Sequence, residues 1–498
     1  MDRFFLTRSD VGMKILLFGT GDYYNRYKKW FEHQEVLALL DNSVQKQNTY
    51  VDGFKVLSPE EGIRLDYDII VILSFYVKQM KQQLISLGVA QNRIYHFYDL
   101  HQLIGADMVK RPIQYFGKAE KIVGCRKNAI PKILLLSNDL ALGGPSIALF
   151  HAAGVLRKQG YSIVYVSMLD GPLKQQLIEN DIPVIIDENL QISTMQETDW
   201  VRAFSLVICN TLNFHVFLSE RDTKIPVIWW LHDATFFYEG VNKKVIGKIS
   251  LSNLTAVSAG PVPAEAVRKF LPDMACGELL YGVADSENRT VSTNEKGVVR
   301  FITIGFLEER KGQDILLRAI KKLPDRIRHS SKFYIVGHGE TLFGEQIRSA
   351  GIDVNEIVFT GSVGRERIHE LLSASDVLIC PSRQDPMPTV AAEAMMHSVP
   401  CIVSYAAGTA AYIHNGEDGL VFPSEDVQAL AERIEWCVAN RAELDSMGKK
   451  ARKLYEKHFS MSAFEKRFME VIQNALRNSE ETEQPVCVYS SQVSDNRI

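Results

Sequence analysis

Short apolar runs alternate with amphipathic stretches along almost the whole chain. Near the N-terminus the apolar runs fall at 14–18, 36–40, 68–73 and 94–97, and stretches with helical periodicity, such as 77–87, lie between them. Such runs predict buried strands, and strands that alternate with helices predict a parallel sheet covered on both faces. We therefore predict a first α/β domain over residues 1–105.

Two further blocks repeat this architecture without repeating the sequence. Strands are predicted at 132–137, 162–167, 183–187, 205–210, 226–231, 255–258 and 278–281, and then at 300–304, 332–336, 356–360, 376–380 and 400–404. The polar stretch 285–297 between them predicts an interdomain hinge. The predicted domains are 132–290 and 298–458. A helix at 459–477 should pack back on the domain 132–290, and a disordered tail should follow at 478–498.

The segment between the first two blocks is basic. From Lys110 to Lys132 the chain has seven Lys or Arg, one acidic residue and no clear periodicity. The region 106–131 is therefore predicted to be a linker. A surface that meets anionic lipid is the alternative.

Composition and charge narrow the classes of function. The chain has 498 residues, enough for about three domains, with 46% hydrophobic and 23% charged residues, as in ordinary soluble proteins. A net charge of −4 argues against nucleic acid as a bulk electrostatic partner. Apolar runs are too short to span a bilayer, and the seven cysteines lie singly, without a CxxC pair. We expect a cytoplasmic protein whose contact with the inner face of a membrane, if any, is peripheral.

The loops after two strands of the third block carry candidate chemistry, because ligands of open α/β sheets bind at the carboxyl ends of the strands. Arg310 and Lys311 stand where the loop after strand 300–304 turns into a helix. Two cations beside the free amides of a helix start predict a site for a phosphate-like anion. A pair of solvated lysine and arginine side chains is the alternative interpretation.

The loop and helix after strand 376–380 carry two acids eight residues apart, Asp385 and Glu393. Pro386 and Pro388 favour a helix start near Thr389, whose amide and hydroxyl would also lie towards an anion. Glu393 falls inside the apolar run TVAAEAMM, where a carboxylate needs a partner. This placement favours a binding role, with the hydroxyl pair of a ribose as the partner.

Residues 132–476 resemble a retaining glycosyltransferase of family 4, which has the GT-B fold of two facing Rossmann-like domains. The matching motifs stand in one order: LGGPS at 142–146, WWLHD at 229–233, LLYGVAD at 279–285, RKGQD at 310–314, VGHGE at 336–340, FTGSV at 359–363, SRQDPMPTVAAEAM at 382–395 and NGEDGLVF at 415–422. Each motif alone is weak, but eight in register are specific.

The resemblance implies a role for each matching residue of the third block. Lys311 and Arg310 are expected to hold the diphosphate of a nucleotide-sugar donor, and Glu393 the nucleotide ribose. Asp385 is expected near the donor sugar and phosphate. Backbone amides from Met387 to Thr389 would meet the phosphate and sugar.

The resemblance also implies roles for two glycine loops and one histidine. The loop of Gly361, Ser362 and Val363 is expected under the nucleotide base. His232 is expected to lie towards the donor sugar from the other domain. Gly143 and Gly144 form the loop expected under the diphosphate and acceptor.

The implied activity is metal-independent and retaining, with no cofactor and no metal site. The substrates would be a nucleotide-diphosphate sugar and a glycan, glycolipid or glycoprotein acceptor, as in surface-polysaccharide synthesis. Phe306 replaces the family's usual Arg, Asp385 is shorter than the usual Glu, and Ala411 replaces a common acid. These departures leave a catalytically inactive, sugar-nucleotide-binding or partner-scaffolding protein as the alternative.

The front block has a partial glycine signature. Gly19 and Gly21 follow its first strand, and Asp41 ends the second, as a ribose-binding acid would, but Tyr24 stands where a third glycine is usual. The block resembles small nucleotide-binding Rossmann domains attached to polysaccharide enzymes. Nucleotide binding and docking of partner enzymes are both open.

A dinucleotide oxidoreductase that works through this glycine loop is a further alternative, but the sequence offers no catalytic residue to go with it. We also expect a front domain that is separable from the chemistry.

Overall fold

The computed structural model describes residues 13–104, 110–120, 131–286, 297–339 and 341–483, which form three α/β domains, each built on its own sheet. We call them the front domain (13–104), the middle domain (110–286) and the third domain (297–458). Within these described ranges no helix is both long and apolar enough to cross a lipid bilayer.

The front domain has a six-stranded sheet in the order β3-β4-β2-β1-β5-β6. Its strands are β1 (Lys14–Phe18), β2 (Glu35–Leu40), β3 (Tyr50–Val51), β4 (Phe54–Leu57), β5 (Ile69–Ile72) and β6 (Ile94–His96). Its α-helices are Asp22–Tyr27, Pro59–Gly62, Val77–Ser86 and Leu100–Ile104. Only β3 and β4 pair antiparallel. β5 is buried at every position, as expected for a central strand covered on both faces.

The middle domain has an eight-stranded sheet in the order β14-β13-β12-β11-β8-β9-β10-β7. Its strands are β7 (Gln114–Phe116), β8 (Lys132–Ser137), β9 (Ser162–Ser167), β10 (Val184–Ile186), β11 (Leu206–Asn210), β12 (Val227–Leu231), β13 (Leu254–Ser258) and β14 (Cys276–Glu278). Its α-helices are Gly144–Lys158, Leu173–Glu179, His215–Ser219, Lys243–Ile246 and Pro261–Arg268.

β7 contradicts part of the predicted linker at 106–131. It pairs antiparallel with β10, with Phe116 opposite Val184, and so extends the sheet of the middle domain. The Arg111 amide also donates to Asn189 Oδ1 over 2.8 Å. An edge strand of three residues is too short to show in hydrophobic periodicity, so the sequence pattern missed it. Residues 106–109 and 121–130 of the predicted linker lie outside the described residues.

The third domain has a six-stranded parallel sheet in the order β17-β16-β15-β18-β19-β20. Its strands are β15 (Val299–Ile304), β16 (Ser331–Val336), β17 (Ile357–Gly361), β18 (Val377–Cys380), β19 (Cys401–Ser404) and β20 (Gly419–Phe422). Its α-helices are Gln313–Lys322, Asp325–His329, Leu342–Gly351, Arg365–Ser373, Thr389–Met396, Val427–Ala439 and Arg441–His458. The order reverses between β15 and β18, which is where doubly wound sheets bind ligands.

The last helix, Met461–Glu483, returns to the middle domain. The rings of Phe464 and Phe468 stack on Trp230, with centroids 5.7 and 6.3 Å away, and Gln159 donates to Glu465 over 2.9 Å. This helix continues beyond the predicted start of a disordered tail at 478. Residues 484–498 of that predicted tail lie outside the described residues.

The front domain packs closely against the middle domain, which contradicts an attachment through a tether alone. Trp30 Nε1 donates to Gln191 over 2.8 Å, and Tyr98 Oη donates to Asn213 Oδ1 over 2.9 Å. The ring of Phe75 meets that of Phe237 edge-on at 5.2 Å. These contacts come from the segments that follow β1, β5 and β6, so the front domain is not attached by a linker alone.

Candidate active site

The carboxyl edges of the middle and third sheets meet around the motif residues. Tyr281 Oη of the middle domain donates to the Met387 carbonyl over 3.2 Å, and Tyr412 Oη of the third domain donates to Glu278 Oε2 over 2.5 Å. Gly260 of the middle domain also lies against the third domain. A Cβ built on it would lie 2.3 Å from Met387 Cε, which is too close for a side chain. Sequence reasoning missed Tyr281, Tyr412 and Gly260 because nothing local marks a contact between domains.

Lys311, Arg310 and Asp385 come together at the switch point of the third sheet. Lys311 Nζ lies 2.5 Å from Asp385 Oδ2, and Arg310 Nη1 lies 3.9 Å from the same oxygen. Asp385 is only 5% exposed. A second carboxylate, Glu308, accepts from Arg310 Nη2 over 2.5 Å. Two positive and two negative side chains therefore neutralise one another here.

Two helix N-termini meet across the gap between the domains. The helix Thr389–Met396 begins after Pro388, and no side chain of the described residues caps this end. A Cβ on Gly144, the first residue of the helix Gly144–Lys158, would lie 3.7 Å from Thr389 Cγ2. A Cβ on Gly143 would meet nothing within 4 Å among the described residues. Both helix ends carry partial positive charge, so the space beside Gly143 favours an anion.

Glu393 is buried, 8% exposed, within the helix Thr389–Met396. Arg365 Nη2 donates to Glu393 Oε1 over 3.2 Å, although the Arg365 side chain is 54% exposed. Sequence reasoning predicted that this carboxylate needs a partner but did not find Arg365. Since Arg365 begins the helix that follows Gly361, Ser362 and Val363, this ion pair ties Glu393 to the loop predicted to meet the base.

The loop after β17 is open. Gly361 has φ +69°, in the left-handed region that favours glycine, and a Cβ there would meet no described atom within 4 Å. Gly361 and Ser362 are exposed and Val363 is partly buried. A flat ligand can therefore lie against this backbone.

His232 follows β12 at the carboxyl edge of the middle sheet. Burial lowers the pKa of its imidazole to about 3, so the ring is neutral at ordinary pH. Its Nε2 is buried without a hydrogen-bond partner among the described residues. Such an atom usually has a partner, and a hydroxyl of a bound ligand would supply one. The neighbouring Asp233 accepts from the Leu212 amide over 2.7 Å, and burial raises its pKa to about 6.

The front-domain glycine loop packs against neighbouring backbone, and its predicted ribose acid makes local hydrogen bonds. Asp41 Oδ2 accepts from the Thr20 amide over 3.2 Å, and Asp41 Oδ1 accepts from the Ser43 amide over 2.9 Å. Gly19 has φ +113°, and a Cβ there would lie 2.5 Å from the Leu73 carbonyl oxygen. Gly21 precedes a helix of six residues. These contacts account for Gly19 and Asp41 by local packing, and nucleotide binding and docking of partner enzymes both stay predictions.

Two Rossmann-like domains that face each other with their carboxyl edges define the GT-B fold. The family model described as "Glycosyl-transferase family 4" matches residues 131–259, and the model "Glycosyl transferases group 1" matches residues 285–454. The middle and third domains therefore belong to glycosyltransferase family 4, as their motifs predicted. The model "C2185-like, N-terminal" matches residues 11–95, which makes the front domain a separate family.

Similar proteins agree with this assignment. The lipopolysaccharide glucosyltransferase WaaG of Escherichia coli is 30% identical over 158 residues, which are 31% of this chain and 41% of WaaG. A Campylobacter jejuni N-acetylgalactosaminyltransferase that acts on an undecaprenol-linked glycan is 31% identical over 148 residues, 29% of this chain and 39% of that protein. The chain thus spans about two fifths of the length of these relatives.

A solved structure covers both GT-B domains. HepE of Anabaena, crystallised with UDP, has a TM-score of 0.59 and 18% identity, and the match covers 69% of this chain and 100% of HepE. HepE has also been crystallised with UDP-glucose, and that structure has a TM-score of 0.58. This likeness shows the shared fold.

Proposed function

We propose that this protein is a retaining glycosyltransferase that moves a sugar from a nucleotide-diphosphate donor to a hydroxyl group of a glycan or glycolipid. The main support is that Lys311 and Arg310 meet Asp385, which lies four residues before the helix start at Thr389, and that this helix start lies opposite the one at Gly144. Such fixed positive charge suits a diphosphate leaving group.

In the proposed reaction the bond between the sugar and the diphosphate breaks while the acceptor oxygen bonds to the sugar carbon from the same face. Lys311, Arg310 and the amides near Thr389 stabilise the charge that develops on the diphosphate. The departing phosphate takes the acceptor proton, as the family resemblance implies. Neutral His232 would act through a hydrogen bond to the donor sugar rather than by proton transfer, because burial keeps its pKa at about 3.

The comparisons favour a uridine nucleotide and surface-glycan synthesis as first hypotheses. HepE has been crystallised with UDP and with UDP-glucose, and WaaG is named for lipopolysaccharide synthesis. Glu393, buried beside the helix start, is the proposed ribose ligand, and the backbone at Gly361–Val363 the proposed base platform. The comparisons lend no support to the inactive alternative, since both relatives named above are glycosyltransferases.

Screening nucleoside diphosphates by thermal shift tests the donor site. We expect UDP to raise the melting temperature more than ADP or GDP, since a ligand at 100 times its dissociation constant stabilises by about 2.7 kcal/mol. Release of sugar from UDP-sugars then tests catalysis. Binding without turnover of any sugar nucleotide would favour the inactive alternative, and no shift with any diphosphate would contradict the proposal.

Activity is expected to survive EDTA. The reason is that Lys311, Arg310 and the helix amides already supply positive charge where the leaving group would lie. The measurement is donor hydrolysis in EDTA and after adding back magnesium or manganese. Strict dependence on either ion would overturn the metal-independent mechanism.

A further inference from the structure

A side chain of the front domain, Arg26, contacts the glycine loop of the middle domain that borders the proposed donor site. Arg26 lies on the helix Asp22–Tyr27, directly after the front-domain glycine loop. Its Nη2 lies 3.0 Å from Asp139 Oδ2 of the middle domain, and the two side chains are 24% and 17% exposed. The pair is therefore largely removed from water, where a charge-assisted hydrogen bond is stronger than on the surface.

Asp139 organises the glycine loop that joins β8 to the helix Gly144–Lys158. Its Oδ1 accepts from the Ala141 amide over 3.1 Å and from Ser146 Oγ over 2.9 Å. Its Oδ2 accepts from Asn138 Nδ2 over 2.9 Å as well as from Arg26. One carboxylate thus holds the start of the loop, its middle and the first turn of the helix.

This loop carries Gly143 and Gly144, and its position decides where the helix N-terminus stands relative to Thr389. The gap there is narrow, since a Cβ on Gly144 would already touch Thr389. The interactions of a helix N-terminus with an anion act only over its first turn, so a small shift changes the binding energy.

Arg26 is itself held in place. Its guanidinium lies 5.5 Å from the centre of the Tyr23 ring and makes a side-chain hydrogen bond with Tyr27. Removing the guanidinium would leave Asp139 charged and largely buried without this cation. A buried charge without its counterion is unfavourable, and a movement of the loop towards water would relieve it.

We propose that Arg26 of the front domain is a positioning residue for the transferase site, acting through Asp139 on the glycine loop. The front domain then contributes to donor binding by fixing the position of this loop. The expected effect on ligand binding rests on the function proposed above, whereas the expected effect on the loop does not.

The full chain offers a matched control. Lys29 also crosses from the front domain to the middle domain, where its Nζ lies 2.9 Å from Glu188 Oε1. Glu188 follows β10, on another loop than Asp139. Lys29→Ala therefore removes an ion pair from the same domain interface but leaves the glycine loop untouched.

The experiment measures two quantities in Arg26→Ala, Arg26→Lys and Lys29→Ala. Hydrogen exchange of the amides at 140–147 reports the loop, and calorimetry with UDP reports the site. We expect Arg26→Ala to exchange these amides at least about 10-fold faster and to bind UDP about 10-fold more weakly, the factor that about 1.4 kcal/mol gives. Arg26→Lys should recover part of both losses, and Lys29→Ala should match wild type.

Other outcomes decide against the proposal. If the amides at 140–147 exchange as slowly in Arg26→Ala as in wild type, the arginine only joins two domains. Equal effects of Arg26→Ala and Lys29→Ala would show the same.

If the alanine variant does not fold, Arg26→Gln replaces it, because glutamine has a similar length without the charge. The same two measurements then apply. If the wild-type protein binds no UDP, the uridine hypothesis fails and the nucleoside diphosphate that does bind takes its place, while the exchange measurement still decides the role of Arg26.

Discussion

Lys311→Ala is expected to lower kcat/KM for a nucleotide-sugar donor by about 10- to 150-fold. A hydrogen bond to a charged group contributes about 1.5–3 kcal/mol, and each 1.36 kcal/mol is a factor of ten in rate. Lys311 is the cation that the structure places within 2.5 Å of the buried Asp385, at the end of the central strands. The measurement is steady-state hydrolysis or transfer, with KM and kcat determined separately.

Two controls separate a donor contact from a structural role. Lys322→Ala removes an exposed lysine at the end of the next helix and should change the rate by less than about twofold. Lys311→Ala should also lower the melting temperature, because the buried Asp385 keeps only the more distant Arg310 as a cation. In Lys311→Ala/Asp385→Asn this carboxylate is gone, so the melting temperature should recover towards wild type. Donor binding should stay weak. Recovery of donor binding in the double variant would mean that Lys311 serves only to neutralise Asp385.

Glu393→Gln is expected to weaken binding of UDP at least about 10-fold. A carboxylate makes stronger hydrogen bonds to a hydroxyl pair than a neutral amide does, and Glu393 is buried where water cannot replace them. Glutamine keeps the size of the side chain, so the fold should persist and the melting temperature should change little. Calorimetric titration with UDP measures the effect.

The ion pair with Arg365 provides the test against a purely structural Glu393. If the carboxylate exists only to pair with Arg365, Arg365→Ala should weaken UDP binding as much as Glu393→Gln does. We expect a smaller effect, because the Arg365 side chain is 54% exposed. Glu370→Gln is the control: it breaks an exposed ion pair with Arg367 on the same helix as Arg365. This variant should bind UDP like wild type. Equal losses in Arg365→Ala and Glu393→Gln would contradict the ribose role.

Local patterns predicted the parts of the protein that depend on neighbours in sequence. The buried strands of all three sheets reveal themselves as apolar runs, because a central parallel strand is covered on both faces. The residues that follow β15 and β18 could be predicted to share a site, since parallel strands end at one edge. The burial of Glu393 was likewise visible in the apolar residues around it.

Local patterns failed where the structure depends on contacts between distant segments. The strand β7 has three residues and its partner β10 lies far along the chain, so it was predicted as linker. Asp41 has the spacing of a ribose ligand, but folding engages its oxygens with Thr20 and Ser43. Arg365 is one of many exposed arginines until the helices Arg365–Ser373 and Thr389–Met396 pack together.

By itself the sequence determined three α/β domains, the family of the last two, and the residue types of a phosphate-binding site. These follow from hydrophobic periodicity and from motif spacing, which are local. Only the tertiary structure decided that Gly144 stands opposite Thr389, that Lys311 is paired with Asp385, and that Arg26 reaches Asp139. The reason is physical: each of these pairs joins segments more than 70 residues apart, and their contact depends on how sheet edges and domains pack, which leaves no periodic trace in the chain.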